Sequence, residues 1–247
     1  MYHCLSRRPA ARSQAPNGWS YAPASAAPRP LSIPARTDIS EICGTESIVV
    51  LNEGIACLYR LLPDGSRRIL SLILPREFCC GHLPDIRQLG YAIGTLTACS
   101  IHRVSPWSSL HLAEGNPKVV EALRCHTLLK MNMMQEWLCN TGRGSDKQMA
   151  HIFCELLVRL QAIGLADGNG FDLDITQADL ADMIGISPVH ANRVLKLLSR
   201  KKLLDWRSRR VDIPDVPRLK AFAGFSPHYL AIPSATALPC WTPPDAV

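Results

Sequence analysis

The sequence predicts an α+β chain, and three observations carry that reading. Short apolar runs separated by turn signals fill the stretch from Ile33 to Ser105. One long apolar-striped segment follows, and beyond it come two short capped segments joined by a glycine turn. The 247 residues, 47% hydrophobic and 19% charged, suffice to bury real cores without metal or disulfide staples. No run approaches the ~18 consecutive apolar residues that a membrane-spanning helix needs, so no membrane partner is expected.

Residues 1–32 hold five prolines, many Ala, Ser and Arg, and no acid. Such a composition buries too little apolar surface to offset ordering, so it reads as a disordered arm. The tail, 231–247, carries Pro239, Pro243 and Pro244 and reads as a second loose end. Residues 33–116 form the β-rich part. Ile48 to Leu51 ends at Asn52-Glu53-Gly54, Ala56 to Leu62 ends at Pro63-Asp64-Gly65, and Ile69 to Leu74 follows. In Pro-Asp-Gly the proline presets φ and the glycine accepts φ > 0, which makes a turn between apolar runs. Tyr91 to Val104 supplies further strands, and several short strands at close spacing point to a β-barrel or β-roll.

Asn116-Pro117 opens a helix with a side-chain cap and a proline at the first helical position. It runs to about Asn140, and the break at Thr141-Gly142-Arg143-Gly144 makes 117–143 a helix with a hinge. One apolar stripe is Val120, Leu123, Met131, Met134 and Leu138; a second is Leu129, Met133 and Trp137. A helix apolar on two sides must be covered on both. The expected cover for the first stripe is the same helix of a second subunit, because two-fold dimers dominate homo-oligomers.

Residues 144–230 form the last part. Ser145 is expected to cap a helix whose stripe runs from Met149 to Ile163 and ends at Gly164. Asp167 to Gly170 is a turn, and Phe171, Leu173 and Ile175 alternate with two aspartates as a short strand. Thr176 with Asp179 makes a capping box for a helix of about eight residues, with Leu180, Ala181 and Ile184 facing inward. Gly185 permits the left-handed turn at its exit, and Ile186 plugs the gap. Ser187 then caps a second helix with Pro188 at its first position and Val194, Leu195 and Leu198 inside. Two capped helices joined by so short a glycine turn have the helix-turn-helix layout.

Charge follows this layout. The net charge is +6, yet Ser187 to Arg210 alone carries eight cations against one acid, Asp205. The ten cysteines show no C-x-x-C spacing, so no zinc knuckle or iron–sulfur cluster is written locally. Most sit in apolar patterns, where a thiol behaves as a small hydrophobe. Cys79-Cys80 is the one adjacent pair, and the inert reading is preferred to a redox or soft-metal role. No signal peptide precedes them, so a cytoplasmic location is expected.

The spacing of Leu180, Ala181, Ile184, Gly185, Ile186 and Val194 resembles that of bacterial helix-turn-helix regulators. With Pro34 to Asp38, Gly54 to Gly65 and Cys154 to Leu160, the stretch from about Ile33 to Leu230 resembles the Crp/Fnr superfamily of transcription regulators. The resemblance implies an N-terminal β-roll sensor (a cupin-like jelly roll, related to cyclic-nucleotide-binding domains), a long dimerisation helix and a C-terminal winged helix-turn-helix. It implies double-stranded DNA with a palindromic operator as partner, a homodimer, and RNA polymerase as a further partner. Cyclic-nucleotide-binding relatives carry a Gly-Glu and an Arg-Ser step; the matching stretches, Phe78 to His82 and Leu89 to Tyr91, have neither. No cofactor is therefore expected, and cyclic AMP is not the expected effector.

In such proteins the second helix enters the major groove. His190, Asn192 and Arg193 are the expected base readers, with Arg193 suited to guanine O6 and N7. Family members of the cyclic-AMP-responsive type carry Arg-Glu where this chain has Pro188-Val189, so their operator is not assumed. Thr176, Gln177, Ser187, Lys196 and Arg200 are expected at phosphates, as are Arg207, Arg209 and Arg210 in a wing hairpin spanning Leu204 to Ile213. Two other classes fit the residues less well. A metal-binding β-roll enzyme needs clustered His with Glu, and the strands before Ser105 show no H-x-H or H-E-x-x-H. A protein-docking module using the helix-turn-helix needs a neutral second helix and wing, which this segment lacks.

Overall fold

The computed structural model describes residues 30–42, 48–80, 89–104 and 117–230. The expected arm and tail fall almost wholly outside these, as do the side chains of Val120 and Leu123. Seven strands come first: β1 (Leu31–Ile33), β2 (Ile48–Glu53), β3 (Ala56–Leu61), β4 (Arg67–Ile73), β5 (Phe78–Cys80), β6 (Ala92–Thr95) and β7 (Cys99–Val104). They pair antiparallel in two sheets, ordered β1-β7-β2-β5 and β4-β3-β6. Ile33, Val49, Leu51 and Ile101 of the first sheet share a core with Ala56, Ile73 and Ile93 of the second, as a β-roll requires. The β3–β4 turn closes as the Pro-Asp-Gly pattern predicts. Leu62 N–H donates to Ser66 O at 2.8 Å, and Asp64 accepts from the Ser66 backbone and hydroxyl.

The second sheet is buried on both faces, which explains the nearly unbroken apolar run of β4. Cys57, Ile69 and Leu72 face away from the roll into a larger core shared with the helices. Helix α1 (Pro117–Asn140) supplies Met133 to this core with Leu129 and Trp137 packed against it, so the second expected stripe is the one facing inward. Helix α2 (Ser145–Ala162) lies at the centre of the same core, with both of its sides covered from Gln148 to Leu157. Its N-cap is Gly144 rather than the expected Ser145 and makes no side-chain cap; the Ser145 hydroxyl is bonded instead to His190. A hairpin, β8 (Ala166–Asp167) and β9 (Gly170–Asp172), brackets the expected turn, and β8 has no counterpart in the sequence reading. Helices α3 (Gln177–Ile184) and α4 (Pro188–Arg200) follow, then the hairpin β10 (Asp205–Arg207) and β11 (Arg210–Asp212). These strands join β9 and β8 in one sheet. Helix α5 (Val216–Ala223), capped by Asp215, and a 3-10 turn at Pro227–Leu230 complete the described chain.

Buried charge ties these layers together. Arg159 of α2, 6% exposed, donates to Glu155 at 3.0 Å, to both oxygens of Glu77 at 2.7 and 2.9 Å, and to the Leu72 carbonyl of β4 at 2.9 Å. Lys130 of α1 donates to Glu77 at 2.6 Å. Glu155 also accepts from the Trp137 indole at 2.8 Å and the Tyr229 hydroxyl at 2.9 Å. Burial pushes the Glu77 carboxyl up, but the charges of Arg159 and Lys130 outweigh it and hold Glu77 at about 2. Since Tyr229 spends its proton on Glu155, the His151 Nε2 contact to its oxygen at 3.0 Å must be a donation. That leaves Nδ1 of a neutral ring buried without a partner, and burial pushes the His151 pKa down accordingly.

A second set of ion pairs joins the β-roll to α3. Arg36 grips Asp179 with two bonds of 2.6 and 2.8 Å, and Arg67 of β4 donates to Asp179 at 2.6 Å and to Asp182 at 2.8 Å. At the other end of α3, Gly185 sits at φ +70, and a Cβ there would collide with the Arg68 guanidinium. Burial raises the Asp179 pKa, while bonds from Arg36, Thr176 and Arg67 reverse that and bring it to about 2.

Replacing Arg159 with Met leaves Glu155 and Glu77 with one cation between them and is expected to cost about 3–5 kcal/mol in urea unfolding, whereas a loss below about 1 kcal/mol would remove the network's structural role. The Asp179 carboxyl sits below its unfolded value of about 3.9, so its contribution is complete above that pH and disappears as pH falls through about 2. Unfolding of wild type and Asp179→Asn across pH is therefore expected to show a stability gap that holds from about pH 7 to about pH 4 and closes toward pH 2. A gap of constant size would detach it from the ion pairs.

Candidate nucleic-acid interface

Two caps set the geometry of the helix pair. The Thr176 side chain accepts from Asp179 N–H while the Asp179 carboxylate accepts from Thr176 N–H, so both halves of the capping box are present. The Ala181 carbonyl closes the turn: Gly185 N–H and Ile186 N–H both donate to it, at 2.8 and 3.1 Å. Leu180, Ala181 and Ile184 are buried as expected, and so are Ala191, Val194, Leu195 and Leu198 of α4. Ser187 caps α4 by accepting from His190 N–H at 3.2 Å, with Pro188 at the first position. The expected helix-turn-helix is thus present down to its individual caps.

The outer face of α4 carries the exposed side chains of Pro188, Val189, Arg193, Lys196 and Arg200 and no acid. It borders an open concavity that Asn192 and Leu197 complete. Of the expected base readers, Arg193 is exposed and sits on this face. Asn192 donates its amide to Gln177 at 2.8 Å, which ties the two helices together at the point where both were expected to meet DNA. His190 turns toward α2 and contacts the Ser145 hydroxyl at 2.8 Å. Thr176 and Ser187 are exposed but occupied as caps. Lys196 and Arg200 stand clear on the α4 face.

The wing differs from the sequence reading in its electrostatics. Arg207 pairs with Asp205 at 2.8 Å and Arg209 with Asp174 at 3.0 Å. Arg210 lies among Asp167, Asp172 and Asp212. The local excess of cations counted along the sequence leaves out four aspartates: Asp167 and Asp172 of the β8–β9 hairpin, Asp174 just beyond it, and Asp212 of β11. Arg207 and Arg209 are nonetheless highly exposed, and exposed ion pairs are worth only ~0–1 kcal/mol, so either cation can exchange its carboxylate for a phosphate at little cost. Trp206 packs inward, edge-on to Phe153 at 6.2 Å between ring centroids.

The residues that hold this surface in place were not found in the sequence. Arg36, Arg67, Arg68, Asp182 and the Glu77–Arg159 network are contacts between distant segments. The available signals were faint: Glu155 and Arg159 stand four apart inside an otherwise apolar stripe, and Arg67-Arg68 opens a strand. Cys57 and Cys154 are buried, and burial pushes both thiols up to about 12, as suits thiols packed as small hydrophobes. Among the described residues no three His, Cys, Asp or Glu side chains are placed to hold a metal ion. None of the described helices is long and apolar enough to cross a membrane.

Comparison with known proteins agrees with this geometry. The Crp-like helix-turn-helix domain matches residues 148–222. The transcriptional activatory protein AadR of Rhodopseudomonas palustris is 29% identical over 184 residues, covering 72% of this chain and 74% of the relative. The transcriptional activator protein FnrL of Cereibacter sphaeroides is 27% identical over 179 residues, covering 69% and 70%. Among solved structures, FixK2 from Bradyrhizobium japonicum superposes with a TM-score of 0.64 at 19% identity, covering 78% of this chain and 96% of its own. A CRP-family transcriptional regulator from Thermus thermophilus gives 0.57 at 18% identity, covering 79% and 97%. Residues 148–222 are a Crp-like helix-turn-helix domain, the two solved structures share the fold, and together the matches support a DNA-binding transcription regulator of the Crp/Fnr type.

Proposed function

We propose that the chain acts as a homodimer on a palindromic operator, each protomer laying α4 in the major groove. The observation that carries this is the outer face of α4, where Arg193, Lys196 and Arg200 stand exposed without an acid among them. Helices of this kind place their N-terminal residues against base edges while flanking cations meet phosphates. Arg193 is the principal base reader, through bidentate donation to guanine. Asn192 reaches a base only by giving up Gln177, and His190 serves mainly to anchor α4 to the start of α2. Lys196, Arg200, Arg207 and Arg209 supply phosphate contacts; Arg210, surrounded by carboxylates, contributes least.

The dimer would form along α1. Leu128, Met131, Met134 and Leu138 are all more than 40% exposed on it, and they recur at spacings of three and four that keep them on one side. A second copy of the helix is the partner such a stripe fits, and the two recognition helices would then address half-sites about 34–36 Å apart. Transcriptional activation by the relatives supports RNA polymerase as a further partner.

Fluorescence anisotropy on a selected operator tests the assignments. Arg193→Ala is expected to cost about 1–3 kcal/mol on that site and to relax preference at one position, whereas Arg209→Ala should weaken all sequences alike and lower the salt slope by about 1. Equal loss on every sequence would move Arg193 to the phosphates. For the dimer, the double substitution Met134→Glu/Leu138→Glu is expected to give a monomer by sedimentation that binds a full operator no better than a half-site. A variant that stays dimeric would place the interface elsewhere.

A further inference from the structure

Val189 carries an inference that rests on the DNA-binding reading above. It is the second residue of α4 and is 64% exposed, with its side chain on the face that borders the concavity. An isopropyl group held open to water on the first turn of a helix stabilises nothing in the free protein. Val189 offers no hydrogen-bond donor or acceptor, so it cannot distinguish bases by their polar edges. In the major groove a single base presents an apolar group to such a side chain: thymine, through its C5-methyl.

Position narrows the assignment. Arg193 lies four residues on, and side chains at that spacing stand about 5–6 Å apart on one helix face. Successive base pairs are separated by about 3.4 Å, so the two residues address positions one or two base pairs apart. We propose that Val189 is a specificity-determining residue that selects a thymine one or two base pairs from the guanine read by Arg193. Leu197, the other exposed apolar residue on α4, lies eight residues further along, away from the end that meets the bases. The surrounding Arg193, Lys196 and Arg200 favour a polyanion over a protein surface as the occupant.

The test uses the full chain and an operator chosen by selection from a random duplex pool. Each thymine is replaced in turn by deoxyuridine, which removes only the methyl group, and affinity is read by anisotropy. Wild type is expected to lose about four-fold at one thymine per half-site, the worth of one buried methyl, and little at the others. Val189→Ala, a change on an exposed side chain that leaves the core intact, should bind thymine and uracil equally at that position while keeping its guanine preference. The proposal is overturned if no thymine responds within two base pairs of that guanine, or if Val189→Ala keeps the wild-type ratio. Failure to bind any duplex at low salt would instead bring down the DNA-binding reading, and this proposal with it.

Discussion

A guanidinium cannot shed its charge when it is taken out of water, and Arg159 is almost fully buried. Every element around it must therefore present an acceptor. Glu155 comes from its own helix, Glu77 from the turn before β5, and the Leu72 carbonyl from β4. Meeting these demands fixes the height of β4 against α2. Five residues earlier on that strand is Arg67, whose reach to Asp179 and Asp182 fixes α3, and Arg68 closes over the turn that leads to α4. The chain of constraint runs from one desolvated cation through a strand to the recognition helix. No flexible linker intervenes in it.

This arrangement separates two uses of charge. Pairs that hold the fold together centre on shielded carboxylates that accept several hydrogen bonds each, and they keep Glu77 and Asp179 ionised far into acid. Pairs in the wing lie in water and are weak, so they keep arginines soluble and oriented without withholding them. Among the described residues no carboxylate pairs with a cation of the α4 face. Strength of pairing thus falls from the interior toward the surface where a polyanion would arrive.

The parts legible in the sequence are those written in short-range chemistry. Thr176 with Asp179, Ser187 with Pro188, and Gly185 between them specify two helices and a turn within a dozen residues, and all of those contacts form. Pro117 at the start of α1 and the Pro-Asp-Gly turn work in the same way. What stayed hidden depends on partners far along the chain. Asp179 reads locally as a capping residue, and nothing near it announces Arg36 from 143 positions away. Ser145 reads as a cap for the same reason, until His190 claims its hydroxyl. The short strands β5 and β8 exist through pairing rather than propensity, and Asp174, Asp167 and Asp172, which face Arg209 and Arg210, come from a segment outside the wing.

The inward residues of α4, Ala191, Val194, Leu195 and Leu198, do all of its packing, while Val189 and Arg193 take no part in the core. Exchanges at exposed positions of this kind usually shift stability by no more than ~0.5 kcal/mol. Such a scaffold can be retargeted: drift at a few outward letters would redirect it to different genes while its folding went on undisturbed, so descendants sharing this architecture need not share a regulon.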